Sequence, residues 1–154
     1  MSDPAWPSAV TRSDGVAVDH REAARHVAAT WLADYADAVD TADLEGLGQL
    51  CAGVTVHAPT GAEGTGEEVA AIYAPLVLAP DGDGRRRTKH HITNVSLRFT
   101  DEGSTVVRAY YLLVKEVDGQ PGIAGSGRYE THLVGAGAAW HVREHRVTRD
   151  LTRT

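Results

Sequence analysis

The chain has 154 residues, 42% of them hydrophobic, with fifteen Lys and Arg against twenty-one Asp and Glu and a formal charge of −6. That length makes one domain with a real core and is short for two, and the acidic balance lacks the electrostatic footprint of a nucleic-acid partner. The single cysteine, Cys51, excludes an internal disulfide and a thiolate metal cage, and no apolar run is long enough to span a membrane.

The first residues, Met-Ser-Asp-Pro-Ala-Trp-Pro, lack the basic and apolar regions of a secretory leader, so a soluble cytoplasmic protein is expected. Residues 1–18 mix Pro, Ser, Gly and Asp without periodicity and read as a flexible arm before one domain over 19–154. From Asp19 to Val39 apolar residues recur at Ala24, Val27, Ala28, Trp31, Leu32, Tyr35, Ala38 and Val39, which predicts a long amphipathic helix. Leu44, Leu47, Leu50 and Cys51 mark a second, shorter one. Val54-Thr-Val-His57 alternates like a short strand, and Thr65-Gly-Glu-Glu68 has capping-box spacing before a third helix that Pro75 ends.

Beyond the loop that ends in Arg85-Arg86-Arg87, a charge run that reads as a solvated flank, the character becomes strand-like. Runs at His91–Phe99, Thr105–Glu116, Ile123–Val134 and Trp140–Leu151 are separated by turn chemistry at Asp101-Glu-Gly103, Asp118-Gly119 and Gly135-Ala-Gly137. Helices first and antiparallel strands afterwards give an α+β fold. Strands this long imply a curved, bulged sheet, and a long helix capping it leaves a cone-shaped cavity. The glycines of Gly122–Gly127 precede a strand, so they read as a turn or bulge and not as a phosphate loop.

The chemistry concentrates where Asp40 closes the long helix and Lys89-His90-His91-Ile-Thr-Asn94 opens the first long strand. A carboxylate that fixes an imidazole tautomer is the minimum equipment for moving a proton without metal or cofactor. Asp40 also reads as the N-cap of the second helix. Tyr35, five positions earlier and about 140° around an ideal helix, shares the pocket only if the helix unwinds at Asp40; it reads as core aromatic or as phenol donor. His90 and His91 point to opposite faces. Alternation back from Val95, Leu97 and Phe99 places His91 inward and His90 with Asn94, Ser96 and Arg98, whereas a bulge near Thr93 reverses this. His145 and His57, on other strands, read as pocket or exposed strand residues. No metal motif and no nucleophile elbow is present, so neither metal nor covalent chemistry is expected.

The Val39-Asp40-Thr-Ala-Asp-Leu44, Thr88-Lys-His-His-Ile-Thr-Asn94, Gly127-Arg-Tyr-Glu130 and Trp140-His-Val-Arg143 segments, in this order, resemble the SnoaL-like branch of the nuclear-transport-factor-2-like superfamily over about residues 20–151. Within it the resemblance is to the group of scytalone dehydratase, bile-acid dehydratase and hexachlorocyclohexane dehydrochlorinase. It implies a cone-shaped NTF2-like fold: three N-terminal helices packed on a strongly curved, mostly antiparallel sheet enclosing a cavity. It also implies that His90 is the base, supported by Asp40, with Tyr35 as a site tyrosine. Tyr111, Tyr129 and His145 would line the cavity by position, and we add His57, Trp31 and Asn94 as substrate-contact candidates. The second histidine of scytalone dehydratase has no counterpart between Thr105 and Val117.

The expected function is a cofactor-independent lyase of dehydratase type on a small hydrophobic or polycyclic substrate, without bound metal. A cyclase or double-bond isomerase on the same base is the nearest alternative. A non-catalytic ligand-binding or subunit-interaction domain is the alternative from another class. Homodimerisation through the open sheet face follows from the resemblance, since long exposed strands otherwise favour aggregation.

Overall fold

The computed structural model describes residues 10–11, 17–100 and 103–153, and in it the predicted long helix becomes α1, His20–Thr41. Asp19 caps α1 by accepting the Arg21 N–H at 2.8 Å. The apolar stripe buries Ala24, Ala28, Trp31, Leu32, Tyr35 and Val39 against the sheet, and each large side chain so buried contributes about 1.5–3 kcal/mol. Ala42, left-handed at φ 56°, stops the helix, and its N–H donates to the Ala38 and Val39 carbonyls. Asp43 then caps helix α2, Leu44–Leu50, by accepting the Gly46 N–H at 2.8 Å. The capping duty considered for Asp40 therefore belongs to Asp43, and both Asp40 oxygens are left for other partners.

Helix α3 spans Glu67–Tyr73 and stops short of Pro75. The Glu68 carboxylate accepts the Thr65 N–H at 3.0 Å, which is the return half of the predicted capping box. Two short strands precede α1, β1 (Val10–Thr11) and β2 (Ala17–Val18), and they pair antiparallel; the rest of the arm expected over residues 1–18 lies outside the described residues.

The main sheet contains β3 (Thr55–His57), β4 (Glu63–Gly64), β5 (Thr88–Phe99), β6 (Ser104–Val117), β7 (Gln120–Ala136) and β8 (Ala139–Thr152) in the order β4-β3-β8-β7-β6-β5. Only β3 and β8 run parallel; the other ladders are antiparallel. Asp118 and Gly119, at φ 52° and 75°, supply the two positive angles that a tight hairpin between β6 and β7 requires. Gly122–Gly127 is not a turn but the first half of β7. At Gly127 a Cβ would lie 2.0 Å from the Thr148 carbonyl oxygen and 2.7 Å from the Tyr111 hydroxyl, so only glycine lets Tyr111 lie across that strand.

Register shifts between Thr93 and Ser96, Leu113 and Val114, Ser126 and Gly127, and His132 and Leu133 bend the sheet around α1 without closing it. Helix α1 lies across β5, β7 and β8 on the concave side. On the other face Arg108 pairs with Glu130 and Arg128 with Asp150, exposed pairs that solvent and salt screen. No helix among the described residues is long and apolar enough to cross a membrane.

Candidate active site

The bulge in β5 decides which histidine turns inward. Thr88, His90 and Ile92 face the concave side before it, and Leu97 and Phe99 after it, so the inward parity changes from even to odd across Asn94, which is left-handed at φ 55°. His90 thereby points inward and His91 is exposed, the reverse of uninterrupted alternation.

Asp40 meets His90 from the last turn of α1. Its Oδ1 accepts from the Thr88 hydroxyl at 3.0 Å and lies 2.7 Å from His90 Nδ1, while Oδ2 accepts the His90 backbone N–H at 2.7 Å. The carboxylate has no proton to give, so Nδ1 carries the hydrogen and Nε2 is the unprotonated nitrogen of the neutral ring. Burial alone would raise the Asp40 carboxyl, but the His90 ring, the His90 amide and Thr88 outweigh it and hold the group below its ordinary value. Asp40 stays charged and sets the histidine tautomer.

His90 lines a cavity of about 590 Å³. Tyr35, Tyr73, Tyr111 and Tyr129 line the same space, together with aliphatic residues such as Val39, Leu113 and Val147. The Tyr35 and Tyr73 hydroxyls are hydrogen bonded to each other. Tyr111 stacks on Tyr129 at 4.8 Å between ring centres, and its ring is 5.9 Å from that of His90. Burial raises the pKa of Tyr35, Tyr111 and Tyr129, and the Tyr73 hydroxyl is pushed up to about 12. All four remain protonated through the physiological range; one hydroxyl of the Tyr35–Tyr73 pair donates to the other, which leaves three O–H donors. An apolar cavity with one imidazole acceptor and several fixed hydroxyl donors is equipped to remove a proton and to stabilise charge on a neighbouring oxygen.

The other expected site residues divide. Asp40 does not itself line the cavity, since α1 does not unwind there; it stands behind His90 and acts through it. His145 is fully buried behind the tyrosines, 4.6 Å from Tyr35, 4.9 Å from Tyr129 and 4.8 Å from Trp31 between ring centres. Burial holds its pKa down at about 3, and its Nδ1 pairs with the Thr131 hydroxyl at 2.9 Å. It supports the cavity wall and does not contact the cavity. Trp31 likewise stacks behind Tyr35 at 5.3 Å. His57 is removed from the site: its ring lies between Glu63 at 3.0 Å and Glu144 at 2.9 Å, away from the lining. Asn94 is exposed because it forms the bulge. Buried Cys51, pushed up to about 12, is no nucleophile.

Thr88, Tyr73 and Arg149 also line the cavity, and the sequence reading passed them over. Thr88 is two residues before His90 on the same strand face. Arg149 follows the inward series His145, Val147, so alternation carries a signal for both. Tyr73 has no comparable local signal, because it enters the site through the packing of α3. Among the described residues no group of three or more His, Cys, Asp or Glu converges as a metal site.

A protein-family model for the SnoaL-like domain matches residues 15–146. No curated protein sequence matches the chain. Among solved structures the chain is similar to a protein of unknown function with a cystatin-like fold from Nostoc punctiforme, at 15% identity and TM-score 0.64, covering 82% of this chain and 90% of that one. It is similar to Aln2 from a Streptomyces species at 18% identity and TM-score 0.63, covering 82% and 90%. It is also similar to a candidate scytalone dehydratase from Novosphingobium aromaticivorans at 20% identity and TM-score 0.59, covering 84% and 85%. At these identities the likeness establishes the fold alone.

Proposed function

Because the chain belongs to the SnoaL-like domain family over residues 15–146, a fold that hosts many chemistries, we propose from the site itself that it is a cofactor-independent lyase of the dehydratase type. The observation that carries this reading is the 2.7 Å contact of His90 Nδ1 with Asp40 Oδ1, on a residue that lines a cavity of about 590 Å³. The substrate is a small, mostly hydrophobic molecule with an acidic C–H next to a carbonyl and a hydroxyl on the next carbon.

Nε2 takes the proton from carbon, and the imidazolium so formed is stabilised by the Asp40 carboxylate. The electron pair left on carbon is held as an enolate whose oxygen accepts from a cavity tyrosine. It then forms the carbon–carbon double bond as the hydroxyl departs with the proton returned from His90, so that one water is released and the base is restored. An intramolecular ring closure uses the same first step, with the enolate carbon attacking a second carbonyl. The cavity speaks against a domain that only binds another subunit, and the Asp40–His90 pair favours an enzyme over a non-catalytic ligand-binding domain.

The shared first step is testable before the substrate is known. In deuterium oxide, with β-hydroxy ketones and cyclic 1,3-diketones of one to three rings, the protein is expected to accelerate exchange of the acidic C–H, and His90→Ala to remove the acceleration. Exchange no faster than in buffer, or equal exchange in the variant, overturns the proposal.

A further inference from the structure

The protein has a formal charge of −6, yet the charged side chains lining its cavity are all basic. Lys115, Arg149 and Arg153 stand there with His90, and no Asp or Glu is part of the lining. Among the described residues no carboxylate pairs with Lys115, Arg149 or Arg153. An acidic chain that collects unpaired cations around one cavity creates a local positive field, and the low-dielectric walls focus it on whatever enters.

Arg149 is the most definite of these. It is the outermost of the inward series His145, Val147, Arg149 on β8, it pairs across the ladder with Gly127, over which the Tyr111 ring lies, and it lines the same cavity as Tyr111. Tyr111 is held in place from below, because Gly127 has no Cβ to displace its ring. The hydroxyl and the guanidinium are thus brought to one part of the cavity as two donors, and the centre of the Tyr111 ring is 5.9 Å from that of His90. A carboxylate is matched by this pair, since guanidinium presents parallel N–H groups to its two oxygens.

Resting on the reading of this cavity as the substrate site, we propose that the substrate is a carboxylic acid whose carboxylate is held by Arg149 and the Tyr111 hydroxyl, with Lys115 and Arg153 drawing it in. The reacting carbon then lies about one ring away from the acid group, next to His90. The substrate class narrows to aromatic or polycyclic acids.

Binding of naphthoic and anthracene carboxylic acids, each matched with the neutral carbinol of the same ring system, tests this by calorimetry. The wild-type protein is expected to bind the acids at least about tenfold more tightly than the carbinols, with a preference that shrinks as salt is added. Arg149→Gln is expected to weaken binding of the acids at least about tenfold and so to remove the preference. Wild-type protein that binds no acid more tightly than its carbinol, or a preference that survives in Arg149→Gln, overturns the proposal. His90→Ala is expected to keep the preference and to lose proton exchange, so failure of the anion site and failure of the base are read separately.

Discussion

Replacing His90 with alanine is expected to lower turnover of the natural substrate at least about a hundredfold, because it removes the group that accepts the proton. Asp40→Asn is expected to cost about as much by a different route. Asp40 Oδ2 accepts the His90 backbone N–H, and Oδ1 faces the ring nitrogen. An asparagine has one oxygen for these two donors. If that oxygen keeps the backbone N–H, its amide nitrogen faces Nδ1 and selects the tautomer with the proton on Nε2. The ring then has no lone pair toward the cavity. The loss belongs in kcat with little change in KM, since neither substitution alters the hydrophobic walls. Retained turnover in both variants would move the chemistry to another part of the cavity.

The second large effect is on stability. His145 is fully buried among Trp31, Tyr35 and Tyr129, and burial lowers its pKa from 6.5 to about 3. Between these values the unfolded chain binds a proton at this position and the folded protein does not. Stability therefore rises with pH across that window and is lost on acidification, at about 1.4 kcal/mol per pH unit. This contribution is complete above the unfolded value and gone once pH falls through about 3. Denaturant titrations at a series of pH values are expected to show that slope in the wild-type protein and a shallower one in His145→Phe, which keeps an aromatic ring against its neighbours. Equal slopes in the two would show that the ring is not neutral and buried in solution. Asp40, with a lowered pKa, adds acid sensitivity only below its ordinary value of 3.8, so the His145 window is free of it above that value.

Much of the architecture is written locally in the chain. The apolar stripe from Ala24 to Val39 specifies α1 because burial on one face repeats at the helical period, and Asp118-Gly119 specifies a hairpin because both residues tolerate positive φ. The parallel pairing of β3 with β8 is not local: Thr55–His57 is too short to specify it and meets Glu144, His145 and Arg146 from the far end of the chain. Face assignment in β5 fails for a comparable reason. Thr93-Asn94-Val95-Ser96 shows no interruption of its alternation, yet the left-handed Asn94 transfers the inward parity from one residue set to the other. Resemblance to relatives carries that information and periodicity does not. His145 exposes a further gap: alternation places it on the concave face, but the tyrosine rings stand between it and the cavity, and depth behind a wall has no period. Tyr73 joins the site only through a contact between distant segments, its hydroxyl meeting that of Tyr35 from α3.

The most direct test of the account is the protonation of the His90 ring. Nitrogen NMR of histidine-labelled protein, with the resonances assigned through His90→Ala and recorded where the ring is neutral, is expected to show the hydrogen on Nδ1 and a bare Nε2, and the opposite tautomer in Asp40→Asn. A wild-type ring protonated on Nε2, or a tautomer mixture that Asp40→Asn leaves unchanged, contradicts the claim that Asp40 prepares His90 as the base.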